Sequence, residues 1–343
     1  MNFTGLVNLH SLPASEPLLP LYEAIVNSIQ SIEDANLPDK GGFIDVYIKR
    51  TPQMTLIGGW ETDIESIVVT DNGIGFTDEN FTSFDTYASD FKVKKGCKGV
   101  GRIMWLKAFD IVEIDSIYSA NGESFRRKFM FSAENSIHGE INEKIENVTS
   151  KNQITTVTLK KLKSNIRKAT PKRIQTIARD ILFHCFMYFV SNTMPKIRVF
   201  DDSDTICIHD LYNEYDDKHF KVDNFTLNNC LFSLIHSKNY KFPSSNATLN
   251  FCAHNRKVFS IKLSSILNNI EGRFHSDDGN FSYFGFIVAQ ILDETVNQER
   301  TEFSIPEEPA LNLESNEIGL SEIRENARQL YRNFFERRYK QIY

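Results

Sequence analysis

The sequence predicts an α+β protein with two domains, and three observations lead to this fold class. At 343 residues, the chain is long enough for two domains with separate cores. Near its start, a helix with Ile25, Ile29 and Ile32 at helical spacing precedes short strands such as 43–49, in which apolar residues alternate. Strands and turns resume after a basic run and an apolar helix at 171–190. We place the domains at 1–165 and 166–315, followed by a C-terminal amphipathic helix at 316–343.

The composition indicates a globular protein of a reducing compartment. Hydrophobic residues make up 41% and charged residues 24% of the chain, which is ordinary for a globular protein, and the net charge of −6 gives no general case for nucleic acid. The five cysteines are odd in number and lack metal-ligand spacing. The apolar run 181–190 is too short to span a bilayer, and no secretory signal opens the chain. We therefore expect a cytoplasmic protein without membrane attachment.

A strand that ends in an acid is the first candidate binding element. The β-branched run 67–70 leads directly into Asp71, and glycines follow at positions 73 and 75. Glycine lacks a Cβ, so a flat ligand can lie against the backbone while the carboxylate accepts from a donor such as an adenine amino group. Taken by itself, the stretch is equally well explained as a strand that ends in an Asp-Asn-Gly turn.

A helix at 15–36 carries a second candidate pair. Glu23 and Asn27 are one turn apart and therefore point the same way. An amide oxygen is a hard ligand suited to Mg²⁺, and a carboxylate can act as a base toward water. A solvated polar face is the alternative explanation.

A glycine-rich basic loop at 91–102 is the third candidate. Its glycines at 96, 99 and 101 lie among four lysines and one arginine, and a helix is predicted at 103–109. Backbone N–H groups at such a turn favour an anion such as phosphate. The loop is neither a Walker A motif nor a dinucleotide fingerprint, and a flexible basic loop is the alternative.

The remaining first-domain elements are read from local patterns. A short helix is predicted at 79–88, and the polar segment 135–152 is predicted to be an exposed connection. Strands are predicted at 111–118, 124–131 and 154–159, the first two being joined by a tight Asn121–Gly122 turn.

Together and in this order, the three candidate stretches resemble the motifs of the GHKL ATPases, the family of gyrase B, the ninety-kilodalton heat-shock chaperone, histidine kinases and MutL. The resemblance covers about residues 20–110. It implies a Bergerat-type α/β sandwich, in which helices cover a mixed sheet, followed by a smaller transducer-like α/β domain. Only His10 precedes the first motif, which favours a MutL-, MORC- or gyrase-like member over a kinase.

The resemblance implies a role for each matching residue. Residues 21–29 resemble the N-box, with Glu23 as the general base and Asn27 as the Mg²⁺ ligand. Residues 71–75 resemble the Asp-x-Gly-x-Gly box, with Asp71 on the adenine amino group. Thr155 is a candidate near the adenine, although Ile154 stands where the family's Gly-Thr-x-Val strand usually has glycine. The other residues placed at the nucleotide are Gly73, Gly75, Phe76, Lys92, Gly96, Lys98, Gly99, Val100, Gly101 and Arg102.

The second domain is expected to supply one further basic side chain. Residues 249–258 are similar to the Asn-Gly-Arg-type strand and turn of the transducer in MutL-like members. A transducer typically sends a basic side chain to the γ-phosphate. Arg300 is the first candidate, although the family usually has lysine there, and Lys257 is the second.

The resemblance implies Mg²⁺-dependent ATP binding and slow hydrolysis that drive dimerisation or a conformational change. ATP and a second copy of the chain are the expected partners. DNA or another subunit is a further expected partner if the protein acts in DNA repair, in a MORC-like role or in phage defence. The basic run 160–173 favours a nucleic-acid contact, with a solvated face or linker as the alternative. A chaperone role stays open, as does a clamp or regulatory module that binds ATP with negligible hydrolysis.

Overall fold

The chain is described by a computed structural model that covers residues 3–37, 41–51, 63–86, 101–146, 153–213, 220–240, 247–267, 274–276, 279–309 and 317–336. It divides into two compact units. The first takes in Met1–His184 and Tyr188–Leu211, and the second takes in Cys185–Met187 and Tyr212–Tyr343.

The first unit is built on a mixed eight-stranded sheet in the order β5-β4-β3-β6-β2-β1-β7-β8. Every pairing is antiparallel except that of β1 with β7. The strands are β1 (Phe43–Arg50), β2 (Ile64–Asp71), β3 (Phe109–Ala120), β4 (Glu123–Ser132), β5 (Ser136–Ile145), β6 (Ile154–Leu162), β7 (Lys196–Phe200) and β8 (Thr205–Cys207).

Helices pack against this sheet. Ile25 and Ile29 on α2 are fully buried, as the predicted apolar stripe requires, and α2 contacts β1, β2 and α4. The helices are α1 (Phe3–Leu9), α2 (Leu19–Asp34), α3 (Asp78–Asp85), α4 (Gly101–Ala108), α5 (Ser164–Ala169), α6 (Ile174–His184), α7 (Phe186–Val190) and α8 (Ile208–Asn213).

The second unit contains a smaller sheet in the order β12-β11-β14-β10-β9, with β13 paired to β14. Its elements are β9 (Lys221–Leu227), β10 (Cys230–Asn239), β11 (Thr248–Ala253), β12 (Arg256–Lys262), β13 (Phe274–Ser276), β14 (Gly279–Ala289), α9 (Gln290–Thr295) and α10 (Leu320–Glu336). Ile323 and Phe334 are buried in α10, as its predicted amphipathic character requires. The predicted α+β class, a mixed sheet with helices followed by a smaller sheet domain and a C-terminal helix, is confirmed.

Three features differ from the prediction. The polar segment 135–152, expected to be a connection, contains the edge strand β5, which is mostly exposed and therefore shows no apolar alternation. Strands β9 and β10 were not predicted. The helix predicted at 171–190 is broken at Cys185 into α6 and α7.

The first unit extends well beyond the predicted boundary at residue 165. Strand β7 pairs in parallel with β1 over Phe43–Tyr47, and β8 pairs with β7. These strands belong to the first sheet although more than 140 residues separate β7 from β1 along the chain. Within the segment predicted to be a C-terminal helix, the described helix α10 packs in the core of the second unit and is not a separate domain.

Candidate functional site

Asp71 is the last residue of β2, and its carboxylate lies beneath α2. Ser28 on α2 donates to Oδ2 of Asp71 at 2.8 Å, and the backbone N–H of Gly73 donates to Oδ1 at 2.9 Å. Burial nevertheless raises the pKa of Asp71 to about 6, because these two donors only partly offset the lost hydration. Each carboxylate oxygen accepts one of these bonds, which leaves lone pairs for a further donor.

The glycines after Asp71 are required by the way the loop packs on α2. The N–H of Ile74 donates to the Ser31 carbonyl at 2.9 Å, and a Cβ on Gly73 would collide with Ser31. Gly75 has φ of +78°, in the left-handed region that glycine adopts at little cost. The conformation of the loop therefore requires glycine at positions 73 and 75, whether or not a ligand is bound.

A row of buried polar side chains crosses the sheet from Asp71. Thr155 on β6 lies opposite Asp71, Ser116 on β3 lies opposite Thr155, and Arg127 on β4 lies opposite Ser116. Residues directly opposite each other point to the same face of the sheet. The Oγ of Ser116 is 2.8 Å from Oγ1 of Thr155 and accepts the Phe76 N–H at 2.9 Å. All four side chains are buried.

Sequence reasoning identified Asp71 and Thr155 in this row but missed Ser116 and Arg127. The missed signal lies in the strand alternation. Ser116 falls at a buried position between the apolar residues Ile114 and Tyr118, and Arg127 falls at the same phase as Phe129. A polar residue on the buried face of a strand needs a partner, which marks it for attention.

The second buried carboxylate of the candidate site is Glu23, which lies on α2. It lies against the first residue of α4, because a Cβ on Gly101 would meet the Glu23 side chain, with Oε2 as the nearest atom. Glu23 is 6% exposed and Gln30 is 3% exposed, so a solvated face does not explain these two residues. Asn27, one turn after Glu23, is exposed. The structure thus places Glu23 against Gly101, with Asn27 one turn further along α2.

Two predicted contact residues are largely engaged with aromatic side chains. The Arg102 guanidinium stacks on Phe84 with its carbon 5.0 Å from the ring centroid, and burial lowers the pKa of Arg102 to about 10. Phe76 packs edge-on against Phe84 and Phe129. The other predicted contacts of the glycine-rich loop lie outside the described residues, namely Lys92, Gly96, Lys98, Gly99 and Val100.

Arg300 and Lys257 belong to the second unit. Arg300 is nearly buried and has a φ of +58°. Its loop is held by Asn297, whose Oδ1 accepts the Thr301 N–H at 2.9 Å. Lys257 lies on β12 after the tight His254–Asn255 turn. That Arg300 or Lys257 contacts the γ-phosphate of ATP stays a prediction.

Much of the basic run 160–173 is engaged within the protein. The Lys160 ammonium pairs with Glu113 at 2.6 Å, and that of Lys172 pairs with Asp63 at 2.8 Å. Lys163 donates to the Leu106 carbonyl at 2.6 Å, and burial lowers the pKa of Lys163. These contacts account for a large part of the run without a nucleic acid.

Two further properties concern only the described part of the chain. It contains no group of three or more His, Cys, Asp or Glu residues arranged to hold a metal ion. Nor does any of its helices combine the length and apolarity needed to cross a membrane.

Comparison with known proteins gives distant likenesses. No family model matches the sequence, and no curated protein matches it. Among solved structures, the chain is similar to the N-terminal domain of a DNA repair protein, at 11% identity and a TM-score of 0.49 over 93% of each chain. It is also similar to the ATPase region of Saccharomyces cerevisiae topoisomerase II, at 12% identity and a TM-score of 0.43 over 83% of this chain and 76% of that one.

Proposed function

We propose that this protein binds ATP together with Mg²⁺ and hydrolyses it slowly, and that nucleotide binding drives dimerisation or a conformational change. The observation that carries the proposal is the arrangement around α2. This one helix presents the buried Glu23 carboxylate to the start of α4, and it supports the buried Asp71 carboxylate through Ser28. Those are the two acids to which the motif resemblance assigns catalysis and adenine recognition.

At the adenine end, Asp71 and Thr155 supply the polar contacts. The Asp71 carboxylate keeps unused acceptor capacity beyond its bonds from Ser28 and Gly73. Its ionised form accepts the adenine amino group. Thr155 lies opposite it in the sheet, and its hydroxyl is oriented by Ser116.

At the phosphate end, Glu23 acts as the general base. It takes a proton from a water whose oxygen attacks the γ-phosphorus, and the bond to the β–γ bridging oxygen breaks to release ADP. Because such a transition state needs mainly positioning and charge stabilisation, turnover can be slow.

The residues present are compatible with a Mg²⁺ ion at this end. Mg²⁺ in nucleotide sites is usually held by one or two protein oxygens together with phosphates and waters. Asn27 offers an exposed carboxamide one turn from Glu23, so a dedicated cluster of acids is not required. When bound, the ion would neutralise charge on the phosphates.

The test is the substitution Glu23→Ala in the full chain. Because the base is lost while the adenine contacts stay, we expect hydrolysis to fall by at least about a hundredfold with the Kd for ATP changed little. Single-turnover hydrolysis and equilibrium binding measure the two effects. The matched control is Glu33→Ala, which removes an exposed acid from the same helix.

Unchanged hydrolysis by the Glu23→Ala protein would refute the catalytic assignment. Tight ATP binding by the wild-type protein, with no single-turnover hydrolysis, would instead support a nucleotide-gated binding module.

A further inference from the structure

We propose that Arg127 is a positioning residue of the nucleotide site. It holds one end of the base-binding loop (residues 71–78), and α2 holds the other end. The inference rests on the proposed function and deepens it, because neither the motifs nor the resemblance include this residue. It also makes the outer strand β5 part of the support of the site.

Arg127 is a buried charged residue. The Arg127 side chain is only 4% exposed, and its guanidinium lies between the rings of Phe81 and Tyr118, at 4.6 and 5.3 Å from their centroids. A buried guanidinium is costly unless it is paired and hydrogen-bonded. Its partners therefore show what the residue holds in place.

The partners of the guanidinium lie in the base-binding loop, at the start of α3 and on β5. Nη1 donates to the Phe76 carbonyl at 2.7 Å, and Nη2 donates to the Asp78 carboxylate. Both acceptors lie at the far end of the loop that begins at Asp71. Nε also forms an ion pair at 3.2 Å with Glu140 on β5, although without hydrogen-bond alignment. One planar cation thus joins the loop, the start of α3 and the edge strand.

The base-binding loop is held at both of its ends. At its start, Ser28 and Ser31 on α2 hold Asp71 and Ile74. At its end, two side chains of the sheet hold Phe76: the Ser116 hydroxyl accepts the Phe76 N–H, and Arg127 donates to the Phe76 carbonyl. Fixing both ends sets the direction in which Asp71 presents its remaining lone pairs, and a preorganised acceptor binds more tightly than a mobile one.

The test compares Arg127→Met with Arg127→Lys and with the matched control Arg126→Met, all in the full chain. Methionine keeps the long stem between the two rings but removes every N–H donor. Lysine keeps the charge but not the planar fork that reaches separate acceptors. Arg126 is the neighbour on the opposite face of β4 and pairs with Asp115 at 2.9 and 2.7 Å.

We expect Arg127→Met to weaken the Kd for ATP by about tenfold, as loss of charge-assisted bonds to the loop implies. The kcat at saturating ATP should stay within about twofold, because Glu23 is untouched. Arg127→Lys should recover part of the affinity, and Arg126→Met should match the wild type. Hydrogen exchange without nucleotide should accelerate at the amides of residues 73–76 in Arg127→Met but not in Arg126→Met.

ATP binding by Arg127→Met as tight as in the wild type would overturn this proposal alone, whereas a wild-type protein that binds no ATP would overturn the proposed function. If Arg127→Met does not fold, Glu140→Gln and the exposed Asp78→Asn replace it. Each weakens one partner of the guanidinium, so faster exchange at residues 73–76 supports the proposal, and unchanged exchange in both overturns it.

Discussion

At the residue scale, Asp71 is a buried acid whose ionisation controls what it can bind. Its pKa is raised from the ordinary 3.8 to about 6, chiefly by burial. Between these two values the native state holds a proton that the unfolded chain has released. Asp71 therefore favours the folded state below about pH 4, and this contribution is lost as the pH rises through 6.

This shift predicts a pH dependence for ATP affinity. In the proposed function the ionised carboxylate accepts from the adenine amino group, so ATP affinity should be constant above about pH 7 and should fall by up to about tenfold per pH unit below 6. Equilibrium binding between pH 5 and 8 measures it. Asp71→Asn should bind weakly with no inflection near 6, and an unchanged inflection in that variant would assign the titration to another group.

Gly101 provides a second prediction at this scale, since its missing Cβ leaves room for the Glu23 carboxylate. Gly101→Ala should push that carboxylate out of position and lower the hydrolysis rate by about tenfold or more, because small misplacements of a catalytic group are costly. Single-turnover hydrolysis at saturating ATP measures this loss of rate separately from any change in ATP affinity. Gly122→Ala, in the exposed turn between β3 and β4, is the control, and an equal loss of rate there would point to general destabilisation.

At the element scale, α2 organises the candidate site. Its side chains reach Asp71 through Ser28, its backbone holds the following loop through Ser31, and its buried Glu23 faces α4. The helix therefore couples the adenine and phosphate ends of the proposed site. In the second unit, α10 has the corresponding structural role, because its apolar residues complete the core of that unit.

Phe334 tests the contribution of α10. Its ring stacks on His236 with centroids 4.4 Å apart and is 2% exposed. Phe334→Ala should lower the free energy of unfolding by about 3–5 kcal/mol, the usual cost of a large cavity. Chemical denaturation followed by circular dichroism measures the loss. Arg332→Ala, an exposed neighbour in the same helix, should cost less than about 0.5 kcal/mol, and equal stability of both variants would contradict the role of α10.

At the scale of the whole molecule, the division into two units falls near residue 211. A chain that ends at 165 would lose β7, the parallel partner of β1, and would lose α6 with the fully buried Ile177 and Ile181. Loss of β7 leaves backbone N–H and C=O groups of β1 without partners, and loss of α6 exposes apolar surface that it covers.

Truncation therefore has a clear expected outcome. A chain of residues 1–211 should unfold in one cooperative transition in urea, whereas a chain of residues 1–165 should show a shallow transition or none. Circular dichroism and fluorescence of the buried Trp105 follow the two transitions. A cooperative transition in the shorter chain would restore the boundary inferred from sequence.

The sequence by itself determined the α+β class, the amphipathic α2, the β2 strand that ends at Asp71, and the candidate residues Glu23 and Asn27. These features are local, since each depends on residues a few positions apart whose spacing reflects helix or strand geometry. Only the tertiary structure decided that β5 is a strand, that β7 pairs with β1 in the first sheet, and that Ser116 and Arg127 lie in one row with Asp71 and Thr155. Strand register across a sheet is set by distant segments that bury their faces together, and no short stretch of sequence contains that information.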